Sequence, residues 1–239
     1  MLKVDLHVHT IASGHAYSTI QESAMHASSV GVEAIAITDH GSSMEGSPHT
    51  GYFGNMARIP REMHGVNLLM GCETNVVDLS GNIDLEKSIA SELDVVLVGL
   101  HKLTPYPSSS SLADNTRALI AAMTSNRVHI VSHPYRLDFP VDIAALAKVA
   151  SDQGVLLELN LSLLKLFGHN EKLLNQVKLM IEAAEKLGMK IVISSDAHIA
   201  TEIGDDSVLS ALGIQLPSGL VLGERDGHDE VKEFLASRG

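Results

Sequence analysis

The sequence predicts an α/β fold in which seven parallel strands close into an irregular barrel, one domain spanning residues 1–239. Three observations predict it. Short β-rich runs alternate with helical patterns along nearly the whole chain, which is the pattern of strand–helix–strand units and a parallel sheet. At 239 residues and 45% hydrophobic composition the chain can bury one large core, and no Pro/Gly/Ser-rich linker divides it. Each strand run also delivers a metal-capable or polar residue at its C-terminal end, where barrels assemble active sites from several strands.

The first strand is expected at residues 3–8, where Val4, Leu6 and Val8 alternate with polar residues. Side chains two apart on a strand share a face, so Asp5, His7 and His9 of "VDLHVHT" point together. A helix at 19–30 follows, begun by Thr19 and Glu22 in a capping-box pattern and stopped by Gly31. The second strand, 34–38, leads into Asp39 and His40. Residues 41–66 fit less regularly and are expected to form a long loop with one short helix. Strands at 67–73 and 95–100 end on Glu73 and His101, with a helix at 86–92 between them. A helix at 112–124 precedes the strand at 128–132, which His133 follows. After a helix at 141–152, the strand at 155–159 ends on Glu158 and Asn160. The helix at 170–187 sets Leu173, Val177, Met180, Ile181 and Ala184 along one stripe and stops at Gly188. The last strand, 190–194, precedes Asp196 and His198.

Composition narrows the partners. The net charge is −12, with 17 Lys plus Arg against 29 Asp plus Glu, which argues against broad contact with nucleic acid or an anionic membrane. The longest apolar stretch, 155–166, is broken by Glu158, Asn160 and Lys165, so no segment is expected to span a bilayer. The lone Cys72 excludes an internal disulfide and suits a reducing compartment. No charged-then-apolar leader precedes the first strand, and a cytoplasmic protein is the expectation.

Six of the 13 histidines are given ordinary hydrogen-bonding or surface roles: His26 and His64 in helical stretches, His49 and His169 in loops, His228 near the last helix, and His129 at the N-terminal end of its strand. The remainder sit with carboxylates and almost no thiol, a donor set suited to zinc, manganese or iron. Such ions lower the pKa of a bound water and neutralise phosphoryl charge, which makes metal-assisted hydrolysis the expected chemistry. Neither a Gly-x-x-x-x-Gly-Lys phosphate loop nor a Gly-x-Ser-x-Gly elbow is present.

Taken in order, "VDLHVHTIASGHAYST", "AITDHG", "GCETNVVDLSGNID", "HIVSHP" and "SSDAH", with "NMARIPR" at 55–61, resemble the PHP (polymerase and histidinol phosphatase) domain, specifically its YcdX-like phosphatase branch. The likeness runs over essentially the whole chain. It implies a distorted (β/α)7 barrel, a trinuclear metal centre at the C-terminal ends of the strands, and hydrolysis of a small phosphomonoester by a metal-bridging hydroxide. Carried over residue by residue, one ion would take His7, His9, Glu73 and Asp196. A second would share Glu73 and add His101 and His133, and a third would use His15, His40 and His198. Three divalent ions are thus expected, zinc first, with manganese or iron as alternatives. Glu73 and Asp196 would stand at the catalytic centre, and Arg58 or Arg61 would clamp a phosphate oxygen. Asp5 and Asp39 are expected to orient neighbouring histidines through their free ring nitrogens. Lys102 and the "PYR" that follows His133 depart from the family pattern and would shape the substrate pocket.

Two other enzyme readings share residues with this one. A PHP-type nuclease or proofreading module would need a basic, aromatic-lined groove that the acidic balance does not provide. An amidohydrolase-like C–N hydrolase also opens with His-x-His, but it resembles this chain less at Glu73 and at the Asp196-x-His198 pair.

Overall fold

In the computed structural model, which describes residues 2–237, the chain builds its sheet in sequence order. β1 (Val4–Val8) pairs parallel to β2 (Ala34–Ile37), and both are buried along their whole length. The short β3 (Glu62–Met63) folds back antiparallel onto the start of β4 (Val66–Asn75). β4 then pairs with β2 on one side and β5 (Val95–Gly99) on the other. β6 (Ile130–Val131), β7 (Leu156–Asn160) and β8 (Ile191–Ser194) continue the parallel order β1-β2-β4-β5-β6-β7-β8. The sheet closes on itself at its C-terminal rim. His9 N donates to the Ala197 carbonyl at 2.9 Å, and Ala197 N donates to the His7 carbonyl at 3.3 Å. All seven expected strands are present, and the fold is a TIM-like β/α barrel.

Leu6, Ala34, Ala36, Val95, Leu97, Ile130, Leu156 and Val192 form one buried cluster, the filling that makes such a barrel a core and not a pore. α1 (Ile20–Ser29) begins with the expected capping box: Thr19 N donates to Glu22 Oε2 at 2.7 Å, and Glu22 N donates to Thr19 Oγ1 at 3.3 Å. Residues 41–66 hold α2 (Thr50–Gly54), a 3-10 turn at Met56–Arg58 and β3. His64 lies in the β3–β4 turn with φ of 56°, not in a helix as expected. α3 (Lys87–Ala90), α4 (Leu112–Ser125) and α5 (Ile143–Gln153) fall where the periodicity places them.

α6 (Leu161–Phe167) was not foreseen. Asn160, the last residue of β7, also caps it by accepting from Leu163 N at 2.8 Å, so strand passes into helix with no loop to mark the change. α7 (Glu171–Leu187) carries the expected apolar stripe and ends at Gly188, whose φ is 65°. After α8 (Ser207–Ala211), α9 (His228–Ala236) packs Val231 and Leu235 into the same cluster as Val4 and Leu156. That cluster places α9 at the N-terminal end of the barrel and leaves the C-terminal end free for chemistry. No helix among the described residues is long and apolar enough to cross a membrane.

Candidate metal centre

The C-terminal rim gathers the metal-capable residues that the strands carry singly. Glu73, fully buried near the end of β4, lies between two sets of imidazoles. Its Oε1 is 3.0 Å from His101 Nε2 and 3.0 Å from His133 Nε2. Its Oε2 is 2.9 Å from His40 Nδ1, 3.2 Å from His7 Nε2 and 3.4 Å from His9 Nε2. Asp196 Oδ1 completes one side at 3.1 Å from His9 Nε2 and 3.5 Å from His7 Nε2. His15 comes from the loop after β1, and its ring centroid lies 5.1 Å from that of His40 and 5.0 Å from that of His198. All nine expected ligand positions therefore meet at one place.

Loop geometry holds them there. Gly14 has φ of 79°, and a Cβ at that position would lie 2.4 Å from the Gly46 carbonyl oxygen. Only glycine allows the two loops to approach so closely beside His15. His133 and Asp196 themselves adopt left-handed backbone, with φ of 33° and 54°. Each such non-glycine residue costs about 1–2 kcal/mol, and strain of this kind concentrates at functional sites.

Hydrogen bonds set which nitrogen each ring turns inward. His7 Nδ1 donates to Glu158 Oε1 at 2.7 Å, which turns Nε2 into the cluster. His9 Nδ1 donates to Ser13 Oγ at 3.0 Å, and that hydroxyl donates to Asp39 Oδ1 at 2.6 Å. His9 Nε2 is thus also turned inward, and it stands 3.0 Å from His7 Nε2. Two lone pairs at that distance repel unless a proton or a cation lies between them. Glu73 Oε2 and His40 Nδ1 give the same indication, being buried without a hydrogen bond although 2.9 Å apart. Buried polar atoms are ordinarily satisfied, so this donor set fits divalent cations. Three groups have ligand atoms mutually within 4.8 Å: His7, His9 and Asp196; His40, Glu73 and His101; and His9, His40 and His198.

The protonation pattern divides the cluster. Burial opposes charge on His7, but Glu73, Glu158 and Asp196 outweigh it and hold the imidazole well above its ordinary pKa. Burial likewise opposes charge on His9, but Asp196 and Glu73 raise it to about 9. Burial pushes His40, His101 and His198 below the ordinary imidazole value, which keeps them neutral and able to ligate. Burial would raise Glu73 and Asp196, yet the surrounding histidines hold both well below the carboxylate range.

The cluster opens into a cleft of about 340 Å³ lined by His15, His40, His101, His133, Asp196 and His198, with Met44, Glu45, Lys102, Leu103 and Arg136 around its mouth. Three sequence expectations are corrected here. Arg61 pairs with Asp94, just before β5, at the opposite end of the barrel from the cluster, so it cannot clamp a phosphate there. Arg58 is exposed at the end of its 3-10 turn and does not line the cleft. Asp5 also departs from its expected role, because it accepts from backbone, Ser195 N at 3.0 Å and His7 N at 3.4 Å, and touches no imidazole. Asp39 acts on His9 through Ser13, while Glu158 orients His7 directly. Sequence reasoning placed Glu158 at the strand end but gave it no partner; its shared face with His133 becomes apparent only once β6 and β7 are paired. His129 stays away from the site, its Nδ1 accepting from Val96 N at 2.9 Å.

Comparisons with known proteins place the chain among phosphatases. A probable phosphatase of Proteus mirabilis is 39% identical over 243 residues, covering 100% of this chain and 96% of its own. A probable phosphatase of Clostridium acetobutylicum is 34% identical, covering 99% of this chain and 95% of its own. The chain belongs to this family of probable phosphatases. Within the family's barrel, residues 3–216 also match the model described as RNase P subunit p30. Among solved structures, histidinol phosphate phosphatase from Lactococcus lactis, complexed with zinc, L-histidinol and phosphate, superposes with a TM-score of 0.60 at 13% identity, covering 90% of this chain and 96% of that one. An archaeal ribonuclease P structure gives a TM-score of 0.57 at 15% identity, covering 98% of this chain and 90% of that one. At those identities the two structures support the shared fold of the family and nothing finer.

Proposed function

We propose that the protein is a metal-dependent phosphatase of the YcdX-like branch that hydrolyses small phosphomonoesters at a centre of three divalent ions. One observation carries the reading: the buried Glu73 presents one carboxylate oxygen to His101 and His133 and the other to His7, His9 and His40, behind the histidines that line a cleft of about 340 Å³. In the proposed arrangement His7, His9, Glu73 and Asp196 hold one ion, Glu73, His101 and His133 a second, and His15, His40 and His198 a third. Bound zinc, or manganese or iron, would supply positive charge for the phosphoryl oxygens and an acidified water as nucleophile. The chain's own residues do the rest. Glu158 and the Ser13–Asp39 pair fix the ring orientations of His7 and His9, so the donor atoms need no rearrangement when charge develops. The partly exposed Asp196 and His198 line the cleft, so a phosphoryl group would sit beside them with its leaving group towards the mouth.

The match to the RNase P subunit p30 model favours a second reading, a protein acting on or beside RNA. A net charge of −12 and a cleft sized for a small molecule weigh against it. The test is phosphate release from a panel of small esters by metal-loaded protein, beside an RNA oligonucleotide. The expected result is chelator-sensitive phosphate release with the oligonucleotide left at full length. Shortened RNA without phosphate release from any ester would overturn the proposal.

A further inference from the structure

Beyond the nine donor residues, the cleft has a charged lip that hydrolysis itself does not use. Lys102 directly follows His101, and Arg136 lies three residues past His133, so two adjacent strands each deliver a donor and then a cation. Both cations converge on one carboxylate. Arg136 Nε and Nη2 donate to Asp138 Oδ1 and Oδ2 at 3.1 and 3.0 Å, and Lys102 Nζ stands 3.3 Å from Oδ2. Asp138 thus pairs with both cations at once and cannot saturate the donors of either. Arg136 is held by its fork, yet its Nη1 makes no hydrogen bond among the described residues. Lys102 is 63% exposed and has ammonium protons to spare. Leu103, which also lines the cleft, adopts φ of 61° and is 71% exposed, an apolar surface next to Lys102. The exposed Glu45 borders the same side of the mouth, its N donating to the Leu103 carbonyl at 3.2 Å, and among the described residues its side chain pairs with neither Arg136 nor Lys102.

We infer that the Lys102–Asp138–Arg136 lip selects phosphomonoesters carrying a second anionic group, a carboxylate or another phosphate, on the leaving-group side. The inference rests on the phosphatase reading and adds a substrate class to it. A cleft of about 340 Å³ is small for a ligand site, so a group only a few bonds from the phosphoryl already reaches the lip. There Arg136 offers a pre-oriented guanidinium N–H and Lys102 a mobile point charge. A neutral leaving group gains neither contact, whereas an acidic one gains both.

Two matched probes isolate the effect: 3-phosphoglycerate and glycerol 3-phosphate, which differ by a carboxylate in place of a hydroxymethyl group. The readout is the ratio of their kcat/KM values for the metal-loaded protein. The parent should favour 3-phosphoglycerate by at least about tenfold, about the value of one charge-assisted contact, chiefly through KM. Arg136→Gln and Lys102→Gln should each move the ratio towards one, and Arg136→Lys should restore part of it by keeping charge without the fork. A parent ratio near one, with turnover present, would sink the inference and leave the phosphatase reading standing. Equal losses on both probes in Arg136→Gln would also sink it, by assigning the arginine to the phosphoryl group or to the scaffold. Release of phosphate from neither probe nor from p-nitrophenyl phosphate would defeat the phosphatase reading itself, and the inference with it.

Discussion

Glu73→Gln is expected to abolish phosphate release, a loss of at least about 10³-fold, comparable to or larger than removing a preorganised group that stabilises transition-state charge. The substitution keeps the size of the side chain and removes its charge. Both oxygens matter, one facing His101 and His133 and the other His7, His9 and His40. An amide puts an N–H₂ group against one of those sets, where ring lone pairs converge on a cation. Occupancy at the two sites that share Glu73 should fall, while the site at His15, His40 and His198 should be largely retained. Metal content and phosphate release are measured together on the same preparation. Near-normal turnover would show that Glu73 is not the bridge.

Glu158→Gln is the second large effect, although in the proposed arrangement this residue touches no metal. The buried carboxylate accepts from His7 Nδ1 at 2.7 Å through one oxygen, and from His133 N at 2.7 Å and Asn160 Nδ2 at 3.1 Å through the other. Glutamine can still satisfy one side, but its N–H₂ then opposes a donor on the other. The lost bonds to a charged acceptor should destabilise the metal-free protein by roughly 1–3 kcal/mol. The freed imidazole of His7 should weaken metal binding by about 10–100-fold. Denaturant unfolding and a metal titration read the two effects separately. Unchanged metal affinity would mean that His7 is oriented by something other than Glu158.

The residues that made the fold legible were the short runs such as "AIAI" and "VVLVG", whose burial on both faces is what a parallel barrel strand requires. The acid and histidine after each run carried the site with them, because parallel strands must end on the same rim. His15 escapes strand reasoning because it sits in a loop whose path depends on Gly14 packing against Gly46. The resemblance of "SGHAYS" to the family is the signal that finds it. α6 was hidden because Leu161–Phe167 continues the apolar run of β7 without a break, and periodicity has nothing to mark the boundary. Arg61 was misplaced for a topological reason. A chain returning from the end of β2 to the start of β4 must cross to the far end of the barrel, and Arg61 lies at the end of that crossing. Arg136 was flagged only as a departure beside His133, since its fork with Asp138 forms within a loop that has no periodicity to read.

Three ions per chain are expected in the cluster at the C-terminal rim, and metal content at saturation counts them. The protein is stripped, titrated with zinc and then with manganese, freed of excess metal and analysed by elemental content per chain. The expected plateau is three, falling to two in His15→Ala, whose exposed ring can be removed without opening the core. A plateau at one, or a His15→Ala variant that binds as many ions as its parent, would contradict it.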